Sequence, residues 1–393
     1  MRCLYTLTAY PPFIGGAQLH HHLLGQEMLR KHAVQVVCHW NKNRTDWLLG
    51  TTLNAPMIPQ DYYIDNIPVH RLGLKISEKF YLAPILPLYY PLMRIALPII
   101  AGVIAKHLEI FADRVDLVHN VRIGREGLSY ASLKMARKYD IPFVLTAVHH
   151  PRWVGWRYRE YLKLYQQADA VIALTKAEKE VLIGLGVKEE RIHITGIGPI
   201  LAEKAEPQVF IQRYQIEEPI ILFLGQHYPY KGYRQLLEAM PMVWKKFPEA
   251  NFVFIGPPVA QSEKDFARLQ DRRVHRLGTV DLQEKTNALA ACTLLCVPSN
   301  QESFGGVYTE AWSFAKPVIG CNIPAVSDVI THGIDGYLIS QNFNEIADRI
   351  CQILSNTTQA QAMGEAGKNK VKQNYTWDKL AEKTEFIYKK LLG

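Results

Sequence analysis

Two glutamates, Glu302 and Glu310, flank a Gly305-Gly306 pair. Ahead of them, residues 293–297 (Thr-Leu-Leu-Cys-Val) form a short apolar run closed by Pro298, expected to be a buried strand. Behind them, residues 310–315 are expected to be helical and to stop before Lys316-Pro317. The carboxylates therefore straddle a strand-to-helix turn, Glu302 in the loop and Glu310 about one turn into the helix. In open α/β sheets, ligands bind at the carboxyl ends of strands, where such turns lie. Glycines let backbone N–H groups approach a ligand, and a helix N-terminus favours an anion. An ionised carboxylate only accepts hydrogen bonds, so both glutamates suit the hydroxyls of a sugar. The plain alternative is a solvated loop with two ordinary glutamates.

The elements that would position them recur along the chain. Residues 2–8 are expected to be a strand, 10–16 a loop ending in Gly15-Gly16, and 17–31 an amphipathic helix. Strand, glycine turn and helix make the phosphate-cradling arrangement of a mononucleotide fold. Within that helix, His20, His21 and His22 point in different directions and cannot share one metal, so they are expected to be structural or surface residues. Further strands are expected at 34–38, 68–72, 115–119, 142–146, 170–174 and 192–195, with 41–63 an irregular excursion. Helices are expected at 126–139, 152–167 (basic and aromatic) and 176–185, the last capped by Thr175 and ended by Gly186. His149 and His150 follow the strand 142–146, where ligands bind, although either could equally face water.

Residues 203–218 lack a strong period and read as the interdomain connection. The rhythm then restarts with strands at 220–224, 252–255, 274–277 and 317–320, and helices at 233–247 and 282–291. Residues 377–392 form a final amphipathic helix. Strands alternating with helices twice over argue for an α/β protein of two doubly wound domains, at 1–200 and 201–376. Residues 377–393 are expected to pack back on the first.

Composition fits this reading. The chain has 393 residues, enough for two such cores. It carries 45 Lys and Arg against 37 Asp and Glu, a net charge of +8 that suits anionic partners such as nucleotide phosphates or an acidic lipid surface. The basic residues are scattered, which argues against nucleic acid. Six cysteines show no paired framework. No signal-peptide pattern opens the sequence, so a reducing, cytoplasmic setting is expected. Residues 80–105 are strongly apolar but contain Pro84, Pro87, Pro91, Pro98 and Arg94. A pair of buried or interfacial helices is expected there rather than a membrane span, with peripheral contact at the inner membrane face as a secondary expectation.

The motifs together resemble the GT-B-fold retaining glycosyltransferases of family 4, nearly end to end. Residues 299–312 resemble that family's E-x7-E signature, 168–175 its "ADxVIAxS" segment, and 225–232 its phosphate loop. Residues 317–320 and 335–338 are similar to its "PVI" and "NGxL" stretches, and Gly15-Gly16 to the loop after its first strand. The resemblance implies two Rossmann-like domains facing a central cleft. It also implies a hexosyltransferase moving a sugar from a UDP- or GDP-linked donor to a hydroxyl of a glycan, glycolipid or small molecule, with retention and without a required metal or other cofactor. It gives Glu310 the donor ribose, Glu302 the transferred sugar, and Lys231 the diphosphate as leaving-group charge develops. Ser303, Phe304, Gly305 and Gly306 would add donor contacts, Gly15, Gly16 and Gln226 would lie at the phosphates, and His149 would contact the sugar, with His150 leaving the register open.

Two departures stand out. Gln226 occupies the position where the family usually has arginine, and His227, Arg122 or Arg125 would have to supply that charge. Asp328 replaces a usual glutamate in the loop after the "PVI" strand. Gln226 motivates a different class of function, a non-catalytic sugar-nucleotide-binding subunit of a glycosylation complex. A UDP-sugar epimerase on the same fold is a third reading.

Overall fold

The computed structural model describes residues 1–11, 16–39, 52–121, 127–149 and 159–393. Gly15, Arg122, Arg125, His150 and the aromatic stretch 153–158 lie outside them. The chain forms two compact units, residues 1–195 with 377–393, and residues 196–376. The first unit thus passes to the second after Thr195, a few residues before the expected boundary at 200.

In the first unit the elements run β1 (Arg2–Leu7), α1 (Gly16–Leu29), β2 (Ala33–Cys38), β3 (Gln60–Ile64), β4 (Ile67–Arg71), α2 (Ile76–Leu82), α3 (Met93–Leu108) and β5 (Leu117–Val121). They continue with α4 (Gly127–Lys138), β6 (Phe143–Thr146), α5 (Arg159–Gln167), β7 (Ala170–Ala173), α6 (Lys176–Gly184) and β8 (Ile192–Ile194). The eight strands form one sheet in the order β3-β4-β2-β1-β5-β6-β7-β8. Central strands such as β5 are buried along their whole length, as parallel strands covered by helices on both faces must be. Along β1 the side chains alternate: Leu4 joins the core under α3 and α4, while Cys3, Tyr5 and Leu7 join the core on the opposite face.

One expectation changes here, and two that held alternatives are narrowed. Part of the supposed irregular excursion is β3, an edge strand paired antiparallel with β4. The hairpin between them turns through Asp65 and Asn66, both at positive φ (47° and 65°), a local signal that marks a two-residue turn. Of the two readings of the histidine run the structural one holds: His20, His21 and His22 are all buried. The apolar segment forms α2 and α3, the pair of helices expected there; α3 with its continuation, Met93–Arg114, is long and apolar enough to cross a membrane, and 56% of its most apolar 18-residue stretch is buried inside the fold.

In the second unit come α7 (Pro207–Tyr214), β9 (Ile220–Leu224), α8 (Tyr233–Trp244), β10 (Asn251–Ile255), α9 (Ala260–Ala267), β11 (Val274–Gly278), α10 (Leu282–Ala291) and β12 (Leu294–Val297). There follow α11 (Gly306–Ser313), β13 (Val318–Cys321), α12 (Pro324–Ser327), β14 (Gly336–Ile339), α13 (Phe343–Ser355) and α14 (Thr357–Asn374). The strands form an all-parallel sheet in the order β11-β10-β9-β12-β13-β14. Half of the presumed connection 203–218 is α7, started by Pro207 and ended by Gln215 at a left-handed φ of 52°. Phe210 is fully buried and Arg213 pairs with Glu284 of α10 at 2.5 Å, so this segment belongs to the second unit's own fold.

The last helix, α15 (Trp377–Leu392), returns to the first unit. Leu380, Ile387 and Tyr388 are buried in the core that also holds Leu24 and Met28 of α1. With the sheet on one side and α15 on the other, α1 has little free surface, which is why neighbouring histidines on it are buried together.

Candidate active site

In the second unit's sheet, β9 and β12 are neighbours although five elements of chain separate them, so the strand order reverses between them. This is the switch point at which the loops leaving two adjacent strands diverge and open a crevice at their carboxyl ends. Lys231 is on the loop after β9 and Glu302 on the loop after β12, and their side chains meet with Lys231 Nζ 2.5 Å from Glu302 Oε1. Both are mostly shielded, 19% and 12% exposed, so the pair is an ion pair of the fold rather than a solvated contact.

The backbone holds the two loops in register. Gly232 sits at φ 80°, and a Cβ there would overlap the carbonyl of Pro298 at the end of β12. Only glycine meets both demands. Asn300 N–H donates to Tyr230 O at 2.9 Å, and Gln341 Nε2 bridges Tyr230 O (2.9 Å) and Pro298 O (2.7 Å). Gln341 is thus a brace between the loops, and no local sequence signal marks it.

After Glu302, Ser303 is half-buried and Phe304 buried, its ring packed edge-on against Tyr375 at 5.4 Å. Gly305 takes a left-handed φ of 83°, and a Cβ there would overlap the ring of Tyr308. The helix α11 begins at Gly306, so Glu310 lies one turn inside it, as expected. Tyr308 Oη donates to Val297 O at 2.9 Å, and Trp312 Nε1 to Asp335 O at 2.8 Å, fixing α11 on the sheet.

Glu310 is 6% exposed at its side chain. Its Oε1 accepts from Lys285 Nζ at 2.8 Å, while Oε2 is buried without a hydrogen-bond partner. Burial pushes its pKa up, and the ammonium of Lys285 and the nearby backbone N–H of Ile200 pull it back down. Lys285 was not singled out from the sequence, because it lies on α10, a separate element.

Gln226 follows Gly225 at the end of β9 and accepts from Tyr228 N–H through its carbonyl at 2.8 Å. His227 does not supply the charge that an arginine there would bring. Its ring is fully buried among Phe223, Tyr233, Phe254 and Phe266, and desolvation lowers its pKa to about 4, so it is neutral. Arg122 and Arg125 lie outside the described residues.

The remaining sequence candidates belong to the first unit. Gly16 opens α1, and Gly15 lies outside the described residues. His149 follows β6, buried, with Nδ1 3.3 Å from Tyr165 Oη. Its backbone N–H donates to Glu178 Oε1 at 2.6 Å, and the other oxygen of Glu178 accepts from Leu174 N–H at 2.7 Å. Glu178 therefore ties the ends of β6 and β7 together, and burial raises its pKa to about 7. Thr175 caps α6 as expected, accepting from Glu178 N–H at 3.1 Å. Among the described residues no group of three or more His, Cys, Asp or Glu is arranged to hold a metal ion.

Residues 206–370 match the family model described as "Glycosyl transferases group 1", and residues 14–198 the one described as "Glycosyltransferase Family 4". A relative called phosphatidyl-myo-inositol mannosyltransferase, from Mycobacterium tuberculosis, is 27% identical over 187 residues, 46% of this chain and 49% of the relative. The chain therefore spans about half the length of that curated relative. Among solved structures, Anabaena HepE in complex with UDP-glucose covers 100% of this chain and 99% of its own, with a TM-score of 0.74 at 18% identity. Sucrose-phosphate synthase from Thermosynechococcus elongatus gives the same TM-score of 0.74 at 17% identity, again covering 100% and 99%. At such identities the likeness establishes the fold, the two-unit GT-B architecture. Between them the two family models account for most of the sequence, and the chain belongs to the glycosyltransferases, family 4 in its first unit and group 1 in its second.

Proposed function

We propose that the protein transfers a sugar from a nucleoside diphosphate donor to an acceptor hydroxyl, with retention of anomeric configuration. The observation that carries this reading is the pair of lysine-held carboxylates on one turn: Glu302 with Lys231, and Glu310 with Lys285. Glu310 Oε2, buried and unpartnered, suits a ribose hydroxyl. Lys231 would neutralise the diphosphate as the bond from the sugar C1 to the phosphate oxygen breaks. Glu302 would hold the sugar's hydroxyls. The acceptor oxygen would form the new bond to C1 on the same face and pass its proton to the departing phosphate oxygen. For His149 the proposal keeps the sugar contact implied by the resemblance.

The HepE structure with UDP-glucose makes a UDP-linked donor the first to test. The mannosyltransferase's name supports a lipid-linked acceptor. So does the surface of α2 and α3, where Ile76 (60% exposed), Phe80 (74%), Tyr81 (59%) and Ile95 (58%) face outward. An open groove of about 550 Å³ there is rimmed by Lys106 and Lys134. We propose peripheral contact with an anionic membrane on the cytoplasmic side. Co-sedimentation with phosphatidylglycerol vesicles at low salt is expected, and its absence removes this part.

The decisive experiment is calorimetric titration against UDP-, GDP-, ADP- and dTDP-linked sugars, followed by donor hydrolysis and transfer assays. Tight binding of one donor with turnover lost in Glu302→Ala supports the enzyme. Binding without turnover on a wide panel favours the non-catalytic subunit, the reading that Gln226 motivates.

A further inference from the structure

Lys285 stands where Glu310 needs it. It lies in the first turn of α10, whose start is fixed by Asp281 accepting from Glu284 N–H at 2.7 Å. Its ammonium makes two hydrogen bonds, to Glu310 Oε1 at 2.8 Å and to the carbonyl of Ile200 at 2.6 Å. The neighbouring carboxylate, Glu284, is engaged by Arg213 at 2.5 Å, so Lys285 is not shared with it. Lys285 is 18% exposed and Glu310 6%. A long side chain held at both ends of its reach, against a nearly buried partner, has few alternative rotamers. One oxygen of Glu310 is thereby fixed in place, and the other is left buried without a partner.

We propose that Lys285 is a positioning residue for nucleoside recognition: by joining Glu310 Oε1 to the Ile200 carbonyl, it presents Oε2 as the acceptor for the vicinal hydroxyls of a donor's ribose. The proposal rests on the reading of Glu310 as the ribose-binding side chain. Its consequence is selectivity for ribonucleotides. A site built to bond a hydroxyl rejects the analogue lacking it, because its own polar atom is then left unpaired.

The test is calorimetric titration of the full chain with UDP and GDP, each beside its 2′-deoxy form, using wild type, Lys285→Met, Lys285→Arg, Glu310→Gln and the double variant. Lys285→Met is expected to weaken binding of the accepted ribonucleotide about tenfold, as loss of a charge-assisted contact does. Discrimination against the deoxy form should collapse to about twofold, and Lys285→Arg should restore most of it. In turnover, the donor KM should rise while kcat at saturation stays within about twofold, since Lys285 touches no reacting atom. If Lys285→Met melts too low to assay, the double variant Lys285→Met with Glu310→Gln removes the charge imbalance and should bind as Glu310→Gln does alone. Should Lys285→Met instead weaken Glu310→Gln by the same factor as wild type, Lys285 acts independently of Glu310 and the proposal falls. Full binding and discrimination in Lys285→Met, with both weakened in Glu310→Gln, overturns the role of Lys285 and leaves Glu310 in place. Unchanged binding in Glu310→Gln, or no binding of either nucleotide to wild type, overturns the reading of Glu310 and the proposal with it.

Discussion

Tyr388 Oη lies 2.6 Å from His119 Nδ1, in the interior of the first unit, and 3.2 Å from Tyr5 Oη. His119 uses its other nitrogen on Thr146 Oγ1 at 2.7 Å, so one imidazole links α15, β5 and β6. Tyr388→Phe removes the hydroxyl without opening a large cavity and leaves His119 Nδ1 buried without that partner. The expected cost is about 1–3 kcal/mol. Urea titration of the full chain, with far-UV and tryptophan signals compared, measures it. A loss below about 0.5 kcal/mol would mean that the hydroxyl contributes little.

Acid should destabilise the protein through its buried histidines. Burial lowers the pKa of His21 to about 4, of His39 to about 3 and of His227 to about 4, and lowers His20 and His119 as well. Each is neutral in the fold and takes up a proton on unfolding below its ordinary value near 6.5. Their stability is therefore present above that value and lost as pH falls from about 6.5 toward 4, at up to about 1.4 kcal/mol per pH unit for each histidine. Glu178, raised to about 7 by burial, runs the other way, losing its contribution as pH rises through about 7. Five histidines oppose it, so the melting temperature should fall steadily between pH 6.5 and 5. A flat profile there would contradict the burial of these rings.

At Gly232 the φ of 80° and the Pro298 carbonyl leave no space for a side chain. Gly232→Ala should cost about 2–4 kcal/mol, combining backbone strain with overlap. It should also weaken donor binding, because Lys231 is the adjacent residue. A thermal melt paired with nucleotide titration separates the two effects. Wild-type behaviour in both would refute the locked arrangement of the two loops.

Replacing Lys231 with alanine leaves the shielded Glu302 carboxylate without its partner and should lower the melting temperature. It should also reduce donor turnover by about 10²–10³, the range typical for losing one group that stabilises developing charge. Donor hydrolysis at saturating substrate is the measurement. Activity within a factor of about three of wild type would mean that the diphosphate's charge is balanced elsewhere.

Much of this arrangement was legible in the sequence. Continuous apolar runs such as 220–224 gave the central strands, because a parallel strand covered on both faces has no polar side to confuse the pattern. The boundaries of α10 and α15 follow from capping and amphipathic spacing, and they agree with expectation. What escaped depends on long-range geometry. His227 and its neighbour Gln226 look alike as loop residues, yet the His227 ring turns into an aromatic core. Lys285 and Glu310 lie on different helices, and no periodicity relates them. In the sequence α7 reads as a connection because only Phe210 in it is buried, too little for a visible period. The burial of His20, His21 and His22 required knowing that α15 covers α1 from outside.

The return of α15 to the first unit has a consequence for biosynthesis. The second unit is contiguous in sequence, so all its strands are available once residue 376 has left the ribosome. The first unit is discontinuous: the core that Leu380, Ile387 and Tyr388 complete stays unfinished until residues 377–393 emerge. The later-made unit is thus the first able to finish folding, and the earlier-made one waits with an apolar face that a chaperone would recognise.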